Sequence, residues 1–232
     1  MEPPQTAQAP QPEQAPPPGP PSSRIDPGGL LYTPWCIAVF VVLALTTLVV
    51  NLFEPDLRRR RRVAGVFSRA FLRCVGIPFT VQGRERLPSG PCVVVANHAS
   101  YIDGIVSIAA LPPDFAFVIK KEMVRVPLAS LLLRRLGSEF VERFDRHKGA
   151  SDARRVLRAA AAGQSLVFFP EGTFDEHRRI GKFMAGAFAT AVRSNLPVVP
   201  MAIHGTRDAL PPGGLVFHRR PIRIEILAVL PP

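Results

Sequence analysis

Residues 92–104 read Cys-Val-Val-Val-Ala-Asn-His-Ala-Ser-Tyr-Ile-Asp-Gly, "CVVVANHASYIDG". The β-branched run Val93–Val95 suits a strand covered on both faces, as in a largely parallel sheet. A histidine follows at the strand's exit, and an aspartate stands five residues on. On one regular helix His98 and Asp103 would lie about 140° apart, so they meet only if the chain turns between them and Asp103 opens the next helix. Strand exits are where open α/β sheets place binding chemistry. There, a carboxylate that accepts from one imidazole nitrogen fixes the tautomer and leaves the other nitrogen to take a proton.

Working outward, the same apolar pattern recurs at Phe79–Gln82, Cys92–Ala96, Phe115–Ile119, Glu139–Val141, Ser165–Phe169, Val198–Ile203 and Ile222–Ile226. Helical spacing appears at Ser151–Ala162, stopped by Gly163, and at Lys182–Ser194, ended near Pro197. Strands alternating with helices predict an α/β domain over residues 77–232: a mixed, largely parallel sheet flanked by helices.

Upstream lie three segments of other character. Residues 1–29 hold ten of the chain's 26 prolines with Gln, Ala and Ser between them. Such a stretch has too little apolar surface to offset its ordering entropy, which predicts a disordered tail without the features of a secretory leader. Residues 30–57 contain "WCIAVFVVLALTTLVVNLF", 19 uncharged residues from Trp35 to Phe53. As a helix this spans about 28 Å, close to the hydrocarbon core of a bilayer, with apolar positions on every side. Residues 58–76 begin with five arginines, Arg58–Arg62, and continue as an amphipathic helix, "VAGVFSRAFLRCV". Arginines beside a membrane helix put that side, and the domain after it, on the cytoplasmic face.

The formal net charge is +11, which suits an anionic partner such as phospholipid head groups, a phosphorylated substrate or nucleic acid. With two tyrosines, one tryptophan and no zinc-finger spacing, the chain offers no base-stacking platform, so no nucleic acid is expected. A basic, membrane-tethered module that binds nucleic acid or a lipid head group without catalysis is the non-enzymatic alternative. Three irregularly spaced cysteines suggest free thiols rather than a disulfide framework. The five histidines are scattered without a His-Glu-x-x-His pair, so no metal site is expected. His204 reads as a structural histidine. Nothing in the pattern sets an oligomeric state.

Five blocks together resemble one family. "NHASYID" is similar to the Asn-His-x-x-x-x-Asp signature of the glycerolipid acyltransferases, most closely the 1-acylglycerol-3-phosphate (lysophosphatidic acid) acyltransferases. "KKEMVRVP" (120–127), "GSEFVER" (137–143), "FPEGTF" (169–174) and "LPVVPMAI" (196–203) resemble the blocks that follow, in the family's order. The resemblance implies a phospholipid-synthesising, membrane-bound enzyme. It would move a fatty acyl group from acyl-CoA or acyl-carrier protein to the free hydroxyl of lysophosphatidic acid, giving phosphatidic acid and using no cofactor. His98 would be the general base and Asp103 its orienter. No acyl-enzyme is required, so Ser100 is not expected to act as a nucleophile, and no Gly-x-Ser-x-Gly elbow is present. Glu171, Gly172 and Thr173 would hold the acceptor, with Glu171 orienting its hydroxyls and nearby backbone N–H groups meeting the oxyanion. Lys120 and Arg143 would supply cationic contacts to a phosphate. The chain departs from the family where Phe174 replaces the usual arginine. That departure keeps another lysophospholipid or a lyso-aminolipid open as the acceptor, with Arg178, Arg179 or Lys182 as alternative charges.

Overall fold

A computed structural model of the chain describes residues 27–142, 146–174 and 180–232. Seven strands form one sheet in the order β1-β7-β6-β2-β5-β3-β4. They are β1 (Phe79–Gln82), β2 (Val93–Ala96), β3 (Phe115–Lys120), β4 (Glu139–Val141), β5 (Ser165–Phe168), β6 (Val198–His204) and β7 (Ile222–Ile226). Every pairing is parallel except β6 with β7. The sheet is therefore mixed and largely parallel, as the sequence predicts, and each strand lies within two residues of its expected bounds.

The central strand β2 pairs β6 on one side and β5 on the other. Its alternating side chains feed two cores. Val94 and Ala96 pack with Phe71, Leu72, Val106 and Ala109, whereas Val93 and Val95 pack with Val156, Ala159, Ala187 and Ala191. The first core lies under α2 (Leu57–Cys74) and α3 (Asp103–Ala110); the second lies under α5 (Arg146–Ala161) and α6 (Gly186–Ser194). Burial on both faces explains why β2 carries no alternation of polar and apolar residues.

The apolar segment forms α1 (Pro27–Phe53), so the last three residues of the expected tail open this helix and the rest of that tail lies outside the described residues. The stretch Leu31–Phe53 is one candidate membrane span, with a mean hydropathy of 2.6. Its apolar surface divides in two. Cys36, Thr47, Leu48 and Asn51 are buried against the domain, whereas Trp35, Val42, Val49 and Phe53 are more than half exposed. Both ends are tied down. Tyr32 Oη donates to Val75 O at 2.7 Å, and Arg135 Nε donates to Asn51 O at 2.9 Å.

Helix α2 begins at Leu57 rather than at Val63, because Asp56 caps it, accepting from Arg59 N at 2.7 Å. The arginine run is thus helical and only partly outward. Arg60 Nε donates to Glu54 O, Arg61 Nε donates to Leu136 O, and Arg58 pairs with Asp114. Arg59 and Arg62 are exposed. Two helices lack a sequence-based expectation: α4 (Pro127–Arg135), opened by a proline at its first position, and the one-turn α7 (Thr206–Ala209). In the other direction, α6 starts at Gly186, not at Lys182. The residues before it are drawn back toward β5, with Gly181 N donating to Glu171 Oε2 and Met184 N to Pro170 O.

Candidate active site

Residues 97–102 turn sharply between β2 and α3, and this turn brings His98 and Asp103 together. Asp103 is the first residue of α3 and fully buried. Its Oδ2 accepts from His98 Nδ1 at 2.8 Å, from Ala99 N at 2.6 Å and from Ser100 N at 2.8 Å. One carboxylate oxygen therefore folds the turn and orients the ring. Because a carboxylate only accepts, Nδ1 is the donor, and in the neutral ring Nε2 carries the lone pair.

Two further clamps hold the strand exit. The Asn97 side chain bridges to β6, donating to Ile203 O at 3.0 Å and accepting from Ile203 N at 2.7 Å. Ser100 Oγ is buried and donates to Leu210 O at 2.7 Å, so it is turned away from the histidine's open side. The parallel pairing of β2 with β5 sets a second strand exit beside the first. From it, Phe169 stacks on the His98 ring with centroids 4.5 Å apart and planes at 25°. Phe174 stands against the same ring at 4.5 Å and 69°, and is itself met edge-on by Tyr101 at 4.8 Å.

Glu171 stands at the β5 exit with its carboxylate on main chain. Oε1 accepts from His98 N at 2.7 Å and Oε2 from Gly181 N at 2.6 Å. The carboxylate is engaged with main chain, joining the histidine turn, the β5 exit and the segment before α6. Gly172, at φ 75°, makes the left-handed turn that lets the strap form, and its N–H closes on Phe169 O at 3.0 Å. Thr173 is exposed beside it. Lys120, the last residue of β3, is also exposed. Arg143, Arg178 and Arg179 lie outside the described residues. Lys182 is exposed.

An apolar cavity of about 410 Å³ opens at His98. It runs under Phe40, Leu43 and Thr47 of α1, Ile105 and Ile108 of α3, and Leu132 and Leu133 of α4, with Lys120, Gly172, Thr173 and Phe174 at its rim. The size falls within the roughly 300–1,000 Å³ of small-molecule sites. Sequence reading missed the contributions of Phe169, Tyr101, Asn97 and α4. Only Asn97 carried a signal, its fixed place beside the histidine. Among the described residues no cluster of three or more His, Cys, Asp or Glu could hold a metal ion.

Comparison with known proteins gives a coherent picture. A family model described as Acyltransferase matches residues 78–204, from the start of the sheet to the end of β6. The chloroplastic 1-acyl-sn-glycerol-3-phosphate acyltransferase BAT2 of Brassica napus is 32% identical over 188 residues, covering 78% of this chain and 54% of that protein. The lyso-ornithine lipid O-acyltransferase of Pseudomonas aeruginosa is 33% identical over 142 residues, covering 60% of this chain and 52% of that protein. This chain thus spans about half the length of these relatives. The crystal structure of the 1-acyl-sn-glycerophosphate acyltransferase PlsC of Thermotoga maritima shares the fold, with a TM-score of 0.74 over 88% of this chain and 86% of that one, at 23% identity. The family match covers more than half of the chain and takes in the whole histidine turn, the β5 exit, and the Asn97 and Glu171 partners that hold them: this protein belongs to the Acyltransferase family.

Proposed function

We propose that this acyltransferase moves a fatty acyl group from acyl-CoA or acyl-carrier protein to the free hydroxyl of lysophosphatidic acid, giving phosphatidic acid. The observation that carries this reading is the 2.8 Å contact of His98 with buried Asp103 at the mouth of an apolar cavity. Imidazole Nε2 takes the proton of the acceptor hydroxyl while that oxygen attacks the thioester carbonyl carbon. As the tetrahedral intermediate collapses, the carbon–sulfur bond breaks and the departing thiolate takes the proton from the imidazolium. General-base assistance of this kind contributes about 10²–10⁴-fold. Asp103 holds the ring and balances its transient positive charge, and the face of Phe169 supports that charge further. The N–H groups of His98, Ala99, Ser100 and Gly172 already donate within the protein. We assign oxyanion stabilisation to Thr173, at the cavity rim, whose Oγ1 lies at a long 3.5 Å from Phe174 O.

The acyl chain occupies the cavity between α1, α3 and α4, and Lys120 meets the acceptor's phosphate together with Arg143. Glu171 acts as a positioning residue through its strap on His98. A second reading has one observation in its favour: Phe174, an aromatic ring, packs at the base itself. This placement favours an acceptor with a less anionic head group, such as another lysophospholipid or a lyso-aminolipid. The enzyme would work on the cytoplasmic leaflet, with the bare face of α1 in lipid and Arg59 and Arg62 near anionic head groups. One labelled acyl thioester, offered with lysophosphatidic acid and with lyso-aminolipid acceptors, tests both readings by product identity. Labelled phosphatidic acid supports the first, and product from lyso-aminolipids alone supports the second.

A further inference from the structure

Helix α4 presents two apolar stripes. One, with Ala129, Leu132 and Leu133, lines the cavity. The other faces outward: Leu128 is 59% exposed and Leu131 is 40% exposed, continuing from Val124 and Val126 in the turn before the helix. Isolated exposed leucines are ordinary, but these four are neighbours in sequence and lie on a helix packed against α1. Arg135 of α4 joins the two helices by donating to Asn51 O and Leu52 O, so the outward stripe sits beside the bare apolar face of α1. Lys121 and Arg125 in the preceding turn and Arg134 in the last turn of α4 are exposed around it.

We infer that α4 is a second membrane-contacting element, with Val126, Leu128 and Leu131 seated in the acyl boundary of an anionic bilayer and Lys121 and Arg125 at the head groups. Three features select a bilayer over a protein partner. The stripe continues the surface of a helix with the composition of a membrane span. Its borders carry Lys121, Arg125 and Arg134 against one acid, Glu122, a net positive edge complementary to anionic lipid. Its inner side also walls the cavity, so a lipid leaving the bilayer between α1 and α4 reaches His98 without crossing water. This last feature rests on the lipid-acylating reading above.

Trp35 is the chain's single tryptophan, so W35F provides a silent background. In that background, full-length L128W is compared with R193W, an exposed position on α6 in the other helix layer. Both are mixed with phosphatidylcholine–phosphatidylglycerol vesicles whose acyl chains are brominated. The expected result is strong quenching and a blue shift for L128W, with little of either for R193W. Equal quenching at the two positions, or none at either, overturns the inference. A second arm uses L128Q/L131Q, which keeps the helix and the charge. Its KM for a long-chain acceptor embedded in vesicles should rise about tenfold, and turnover of a short-chain, monodisperse acceptor should stay within about twofold. Unchanged KM on vesicles, or loss of a dimer as the sole effect, overturns it. The quenching arm needs no acyl transfer, so failure of the catalytic reading leaves it intact and the two failures are told apart.

Discussion

The carboxylate of Glu171 accepts the main-chain N–H of His98 at 2.7 Å, although the two residues leave different strands and stand 73 positions apart in the chain. With its other oxygen on Gly181 N, Glu171 fixes the histidine turn from below. Glu171→Ala is expected to lower kcat about tenfold or more, since a misplacement of about 1 Å at the reacting groups is costly. KM for the acceptor should change little. A raised acceptor KM with unchanged kcat would instead put the carboxylate on the substrate.

Asp103 supplies three bonds from one buried oxygen, so its replacement affects both rate and fold. Asp103→Asn is expected to reduce kcat by about 10²-fold. It should also destabilise the protein by about 1–3 kcal/mol in denaturant titration, as charge-assisted bonds become neutral ones or are lost. Both changes are needed: a rate loss with unaltered stability would show that the turn does not depend on this carboxylate.

Phe174 touches His98 and Tyr101, forming one side of the bracket around the imidazole. Removing an aromatic pair of this kind costs about 0.5–1.5 kcal/mol. Phe174→Leu should therefore slow turnover about two- to tenfold, and Phe174→Tyr should restore it. Phe174→Arg should shift acceptor preference toward lysophosphatidic acid in a competition assay.

Cys92 is fully buried immediately before β2, and burial pushes its thiol up to about 11. Cys74 is exposed. Below that value Cys92 is a protonated thiol and a poor nucleophile. At pH 8 iodoacetamide should label Cys74 and spare Cys92, which reacts once the protein is unfolded; mass spectrometry of tryptic peptides reads the difference.

The sheet and the histidine turn were legible because each rests on local chemistry. The β-branched run Val93–Val95 suits a covered strand, and His98 can meet Asp103 only if the chain turns between them. The main-chain partners of Glu171, His98 N and Gly181 N, were not legible because they are distant in sequence and no local pattern reveals them. The two faces of α1 were also indistinguishable in sequence, since protein core and lipid both select apolar side chains. Only its burial separates Cys36 and Leu48 from Val42 and Val49. Helix α4 opens at the end of the motif "KKEMVRVP", whose value in the sequence is its family likeness rather than a helix signal. The proline begins the helix rather than interrupting one.

The central claim is that His98 takes the acceptor's proton. It is tested most directly by following labelled phosphatidic acid made from acyl-CoA and lysophosphatidic acid by purified wild-type protein and by His98→Ala, with circular dichroism confirming that both are folded. The expected result is product from the wild type and a fall of at least about 10²-fold in the variant. Turnover by folded His98→Ala at the wild-type rate would contradict the account.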